Sequence, residues 1–103
     1  MREKDQVLEG IVQDETVTYS LVELCEICVV SEETITEIIE YGIVSPVEEA
    51  PNLAFNAQSL PRIKKAIRLQ QDLAINWSGV SLVLELLDEI TLLRQQIQIL
   101  SSE

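Results

Sequence analysis

Thr16-Val17-Thr18-Tyr19 alternates polar and apolar side chains in β-branched and aromatic residues, which predicts a short strand. The period then lengthens. Leu21, Leu24, Cys25 and Cys28 recur at helical spacing, as do Ile35, Ile38 and Ile39. Each stripe opens on a capping signal. Ser20 with Glu23 makes a capping box, and Tyr19 and Leu24 stand where a hydrophobic staple would close. Ser31 is followed by Glu32 and Glu33, whose charges favour a helix N-terminus. The pattern predicts one helix over 20–28, a turn at Val29-Val30, and a second helix from Ser31 that ends at Gly42. Gly42 takes the left-handed residue, and Ile43 folds back onto Ile38 in a Schellman ending.

Val44 to Phe55, with Pro46, Pro51 and Asn52, reads as a β-turn-β excursion: a small wing, or a loop with short strands at Ile43-Val44 and Ala54-Phe55. Asn56 or Ser59 caps a third helix reaching about Ile75, with Pro61 in its first turn, where a missing N–H costs least. Leu60, Ile63, Ala66, Ile67, Leu69, Leu73 and Ala74 make its apolar stripe, and Asn76-Trp77-Ser78-Gly79 breaks the pattern. From Val80 to Ser101 a last helix carries Val83, Leu86, Ile90, Leu93, Ile97 and Leu100 at alternating spacings of three and four, an a/d seam. A second row, Val80, Leu84 and Leu87, runs beside it and stops at Thr91. Two apolar faces at the start of one helix imply that one packs on the chain's own domain. The other continues alone as a seam for a partner helix, so a homodimer is expected. The organisation is then an acidic, loosely attached terminus over 1–15, a helix-turn-helix domain with a small wing over 16–79, and a C-terminal helix over 80–103.

Composition narrows the class. Hydrophobic content of 47% with only three Gly and three Pro favours a helix-rich globular chain over a disordered one. A formal charge of −11 disfavours nucleic acid and anionic membrane as partners, because phosphate binding needs Lys and Arg, and it steers cationic partners toward the protein. No basic residue occurs between Asp5 and Pro61, whereas Arg62, Lys64, Lys65 and Arg68 lie together. That cluster reads as counter-charge for the acidic second helix, or alternatively as phosphate contacts of a transcription regulator. MREKDQ leads into no apolar signal region and no run approaches a membrane span, so a cytoplasmic location is expected.

Cys25 and Cys28 form C-x-x-C, but the chain has no His and no third Cys to complete a zinc site. Glu23 and Glu26 beside them would raise the thiol pKa, so core packing is preferred to redox chemistry. No nucleophile–base pair or phosphate loop is visible. The expectation is a non-enzymatic protein with no cofactor and no metal.

Y-S-L-V-E-L-C-x-x-C-x-V-S, I-x-Y-G-I-V-S-P, a wing and a long third helix together resemble the DNA-binding domain of MerR-type regulators. Ala66 to Ile90, with Arg68-Leu69, Leu73-Ala74, Trp77 with Gly79, and Leu87-Asp88-Glu89-Ile90, is more similar to the chaperone modulators of the CbpM family. The resemblance covers about Thr16 to Leu100. It implies a mainly α fold, a MerR-like winged helix-turn-helix with a long C-terminal dimerisation helix. A DNA-binding member resembles V-S-x-R-T-L-R-Y-Y-E at the second helix. Here Glu33 and Thr36 stand at the Arg positions, Glu37 replaces the first aromatic, and the wing carries Glu48 and Glu49, which argues against DNA binding. The resemblance further implies a partner, a CbpA-like J-domain co-chaperone. Its basic surface would be occupied so that it no longer stimulates a DnaK-type chaperone. Asp72, Glu85, Asp88 and Glu89, with Trp77 beside them, are the preferred contact residues, and Glu32, Glu33, Glu37 and Glu40 are the alternative patch.

Overall fold

A computed structural model of the protein describes residues 17–101, so the expectations for residues 1–15 and for Thr16 lie outside the described residues. The elements follow in the order β1 (Thr18–Ser20), α1 (Leu21–Cys28), α2 (Glu32–Glu40), β2 (Ala54–Asn56), α3 (Ser59–Leu73) and α4 (Trp77–Ser101). The fold is mainly helical with one two-stranded antiparallel sheet.

The capping grammar of the first two helices is realised atom by atom. Ser20 Oγ accepts from Glu23 N at 3.1 Å, and Glu23 Oε1 accepts from Ser20 N at 2.9 Å. Ser31 Oγ accepts from Thr34 N at 3.2 Å to open α2. At the far end, Gly42 has φ +72°, its N–H donates to Ile39 O at 3.0 Å, and Ile43 N–H donates to Ile38 O at 3.1 Å. These are the two bonds of a Schellman motif, and Ile38 and Ile43 are both buried beneath it.

The tight turn after α1 has a feature the pattern does not announce. Val29 occupies the left-handed region, with φ 56°, while Val30 N–H donates to Cys25 O at 3.1 Å. A β-branched residue is strained there, yet its side chain is 87% exposed and packs on nothing that would hold it.

Three boundaries differ from the pattern. β2 pairs with β1, not with Ile43-Val44, in the register Thr18↔Asn56, Tyr19↔Phe55 and Ser20↔Ala54. Ile43 and Val44 are buried without joining a strand, and a single bond, Val47 N to Ala54 O at 2.8 Å, ties the wing across. α3 ends at Leu73, because Ala74 turns left-handed with φ 52°, and Leu73 is 55% exposed instead of lying in the stripe. α4 begins at Trp77, not Val80. Asn76 Oδ1 accepts from Gly79 N at 2.8 Å and Asn76 O from Val80 N at 3.0 Å, so Asn76 opens the helix instead of interrupting the pattern. α3 starts at Ser59 with Gln58, already helical and without a side-chain cap bond, at the cap position, while Asn56 Oδ1 accepts from Ser59 N at 3.1 Å.

Every element except the projecting half of α4 contributes to one core. Leu24 of α1, Ile35 and Ile38 of α2, Phe55 of β2, Ile63 and Ala66 of α3, and Val80 and Leu84 of α4 are all sealed from solvent. Burial at these positions, on the order of 2 kcal/mol for each large side chain, is what holds short helices that would be marginal alone.

Candidate partner-binding surface

α4 is the element that leaves the core. Trp77, Val80 and Leu84, one helical turn apart, face inward and are buried. Val83 and Leu87 are half-buried, and from Asp88 to Ser101 every residue is exposed. Those last fourteen residues project for about 20 Å at the helical rise. Of the expected seam, Ile90, Leu93, Ile97 and Leu100 lie along this projection, Leu86 stands just before it, and Val83 is half-buried. Leu86, Ile90, Leu93, Ile97 and Leu100 are 43–70% exposed, and Leu82 and Leu92 add further apolar surface beside it.

Glu85 and Glu89, one turn apart, are exposed, and neither makes an ion pair among the described residues. Leu82 and Leu86 lie three residues before them and Leu93 four residues after Glu89, so the acids stand within apolar surface. Asp88 shares this stretch of helix but turns toward α3, where Arg62 Nη1 reaches its two oxygens at 3.1 and 3.3 Å. Arg62 Nε also donates to Ile43 O at 2.7 Å, and Ser81 Oγ donates to Tyr41 O at 3.3 Å. Both α3 and α4 are thus pinned to the chain as it leaves α2.

The arrangement sorts the residues singled out in the sequence. Glu85, Asp88 and Glu89 come together on α4. Asp72 does not join them: it sits near the far end of α3, about 15 Å along that helix from Arg62, and pairs with Arg68 at 3.5 Å within its own helix. Trp77 packs in the core at 8% exposure, below the acids and not among them. In the alternative patch on α2, Glu32, Glu33 and Glu40 are exposed and Glu37 is half-buried.

The basic cluster corrects its sequence reading. Arg62 and Arg68 compensate Asp88 of α4 and Asp72 of α3, not the acidic α2. No local signal could have found the Arg62–Asp88 pair, since 26 residues separate its members. Cys25 and Cys28 are half-buried and pack against the core. Burial, then Glu32 and Glu26, pushes the Cys25 thiol up. Burial also raises the Cys28 thiol against an opposing pull from Lys64. The described residues contain no group of acids and thiols placed to hold a metal ion, and no helix among them is long and apolar enough to cross a membrane.

Comparison with known proteins gives this geometry a context. Residues 19–102 match the family model of MerR HTH family regulatory proteins. The chain is 37% identical over 86 residues to the chaperone modulatory protein CbpM of Citrobacter koseri, a span covering 82% of this chain and 85% of that protein. It is 34% identical over 82 residues to the CbpM of Salmonella arizonae, covering 79% and 81% of the two chains. The CbpM of Escherichia coli O1:K1 is 34% identical over 86 residues, covering 82% and 85%.

Proposed function

We propose that this chain, which belongs to the CbpM family of MerR-type helix-turn-helix proteins, is a non-enzymatic modulator that binds a J-domain co-chaperone of the CbpA type. Binding occupies the basic surface through which that co-chaperone stimulates a DnaK-type chaperone, and so inhibits the stimulation. The observation that carries this reading is the row of Glu85 and Glu89 on α4, exposed, without an ion pair among the described residues, and set among exposed leucines. Carboxylates of that kind speed encounter with a basic helix, and Leu82 and Leu92, exposed beside them and outside the dimer seam, supply the apolar anchors that retain it. Asp88 contributes charge to the same field while staying tied to Arg62. Asp72 adds long-range attraction only, and Trp77 acts from beneath by holding the first turn of α4 in place.

The fold is a DNA-reading scaffold whose reading helix is acidic, and a carboxylate facing phosphate adds repulsion instead of counterion release. On this reading the protein does not bind DNA. The seam of Val83, Leu86, Ile90, Leu93, Ile97 and Leu100 pairs α4 with a second copy, covering the projecting half that its own domain leaves bare. Titration of a CbpA-type J-domain into the protein, with and without reversal of Glu85 and Glu89, tests the assignment. Saturable binding that weakens on reversal supports it, and binding unaffected by reversal removes these residues from the site.

A further inference from the structure

On the opposite side of the charge balance lies a groove of about 350 Å³, lined by Ile27 and Cys28 at the end of α1 and by Lys64, Ile67, Arg68 and Gln71 of α3. Its apolar part is formed by Ile27, 41% exposed, with half-buried Cys28 and Ile67. Among the described residues Lys64 makes no ion pair, and Arg68 pairs within its own helix alone, through an exposed contact of 3.5 Å with Asp72. In a chain of net charge −11, an apolar groove flanked by two cations selects an acidic segment that also carries aliphatic side chains.

We infer that this groove is the docking site of the chain's own N-terminal segment, residues 5–15. That segment has the matching chemistry: Asp5, Glu9, Asp14 and Glu15 with no Lys or Arg, and Val7 with Ile11 and Leu8 with Val12 four residues apart. It is also within reach. β1 starts at Thr18, whose partner Asn56 bonds Ser59 N at the start of α3, and Lys64 lies about 8 Å further along that helix. The ten residues from Leu8 to Thr18 span up to about 33 Å when extended. Tethering sets an effective concentration on the order of millimolar, so even a weak local affinity, about 0.1 mM, keeps the groove mostly filled. The segment lies outside the stretch matched by the family model, residues 19–102.

Cys28 lines the groove and reports on its occupancy. In a Cys25→Ala background, labelling of Cys28 by a maleimide is expected to accelerate about tenfold when Val7, Leu8, Ile11 and Val12 are all replaced by Ser, at unchanged far-UV circular dichroism. The protection should weaken with added salt and be independent of protein concentration. Lys64→Glu is read instead by backbone amide shifts at Ile27 and Ile67, because Lys64 itself favours the Cys28 thiolate. It should move these amides as the four Ser substitutions do. Equal labelling rates with and without the substitutions overturn the inference, and so does protection that grows with protein concentration, since the occupant is then a second copy.

Discussion

The guanidinium of Arg62 holds the carboxylate of Asp88 at 3.1 Å, across the turn that folds α4 back along α3. The same side chain donates through Nε to Ile43 O at 2.7 Å. An exposed ion pair alone contributes under about 1 kcal/mol, whereas a charged donor on a partly buried carbonyl is worth about 1.5–3 kcal/mol. Arg62→Met should therefore cost about 2 kcal/mol in urea unfolding and Asp88→Asn less than about 1 kcal/mol. Equal losses would mean that the ion pair, not the carbonyl contact, is what pins the helices.

The two turn residues around α2 should respond in opposite directions. Gly42 sits at φ +72° with nothing within 4 Å of an added Cβ, so Gly42→Ala is expected to lose about 1 kcal/mol through backbone strain alone. Val29, left-handed and exposed, should gain about 1 kcal/mol on replacement by Asn, which tolerates that conformation. Thermal unfolding of the two variants measures both.

These turns also show where the fold is legible. Ser20, Ser31 and Gly42 act on atoms within four residues, so caps and the Schellman ending can be read from local order. What could not be read depends on distant atoms or on competing local roles. β1 pairs with β2 across more than thirty residues, and the Arg62–Asp88 pair spans 26. Asn76-Trp77-Ser78-Gly79 looks like a break because a cap and a helical glycine share the composition of a loop; only the Asn76 side chain on Gly79 N shows that the helix has begun. In the candidate site, Glu85, Asp88 and Glu89 are neighbours by helical arithmetic, but the separation of Asp72 and the burial of Trp77 follow from how α3 and α4 pack.

The thiols give a pH signature. Burial raises both Cys25 and Cys28, so each keeps its proton in the folded chain at a pH where the unfolded chain has lost it. Their contribution to stability is fully present below the unfolded thiol pKa and is lost as pH rises through the folded value. Urea midpoints should fall through this alkaline window, and a Cys25→Ala, Cys28→Ala variant should show a smaller fall. Thiol labelling at neutral pH should be slow compared with a free cysteine.

The projecting part of α4 can be altered without touching the core, since Asp88 to Ser101 are all exposed. Leu93→Asp with Ile97→Asp should leave the unfolding free energy of the monomeric domain, from urea titration, within about 0.5 kcal/mol of its original value. In sedimentation velocity the same pair should convert the dimer proposed through this seam to monomer. A monomer already present before substitution would remove the seam from the account.

The most direct test of the central claim is calorimetric titration with a CbpA-type J-domain at low and at physiological salt, comparing the unaltered chain with Glu85→Lys, Glu89→Lys and with Glu33→Lys, Glu40→Lys. The α4 reversal is expected to weaken binding by about tenfold or more, with a loss that shrinks as salt rises, while the α2 reversal has a smaller effect. Unchanged affinity on reversal of Glu85 and Glu89, or a larger loss from Glu33 and Glu40, would contradict it.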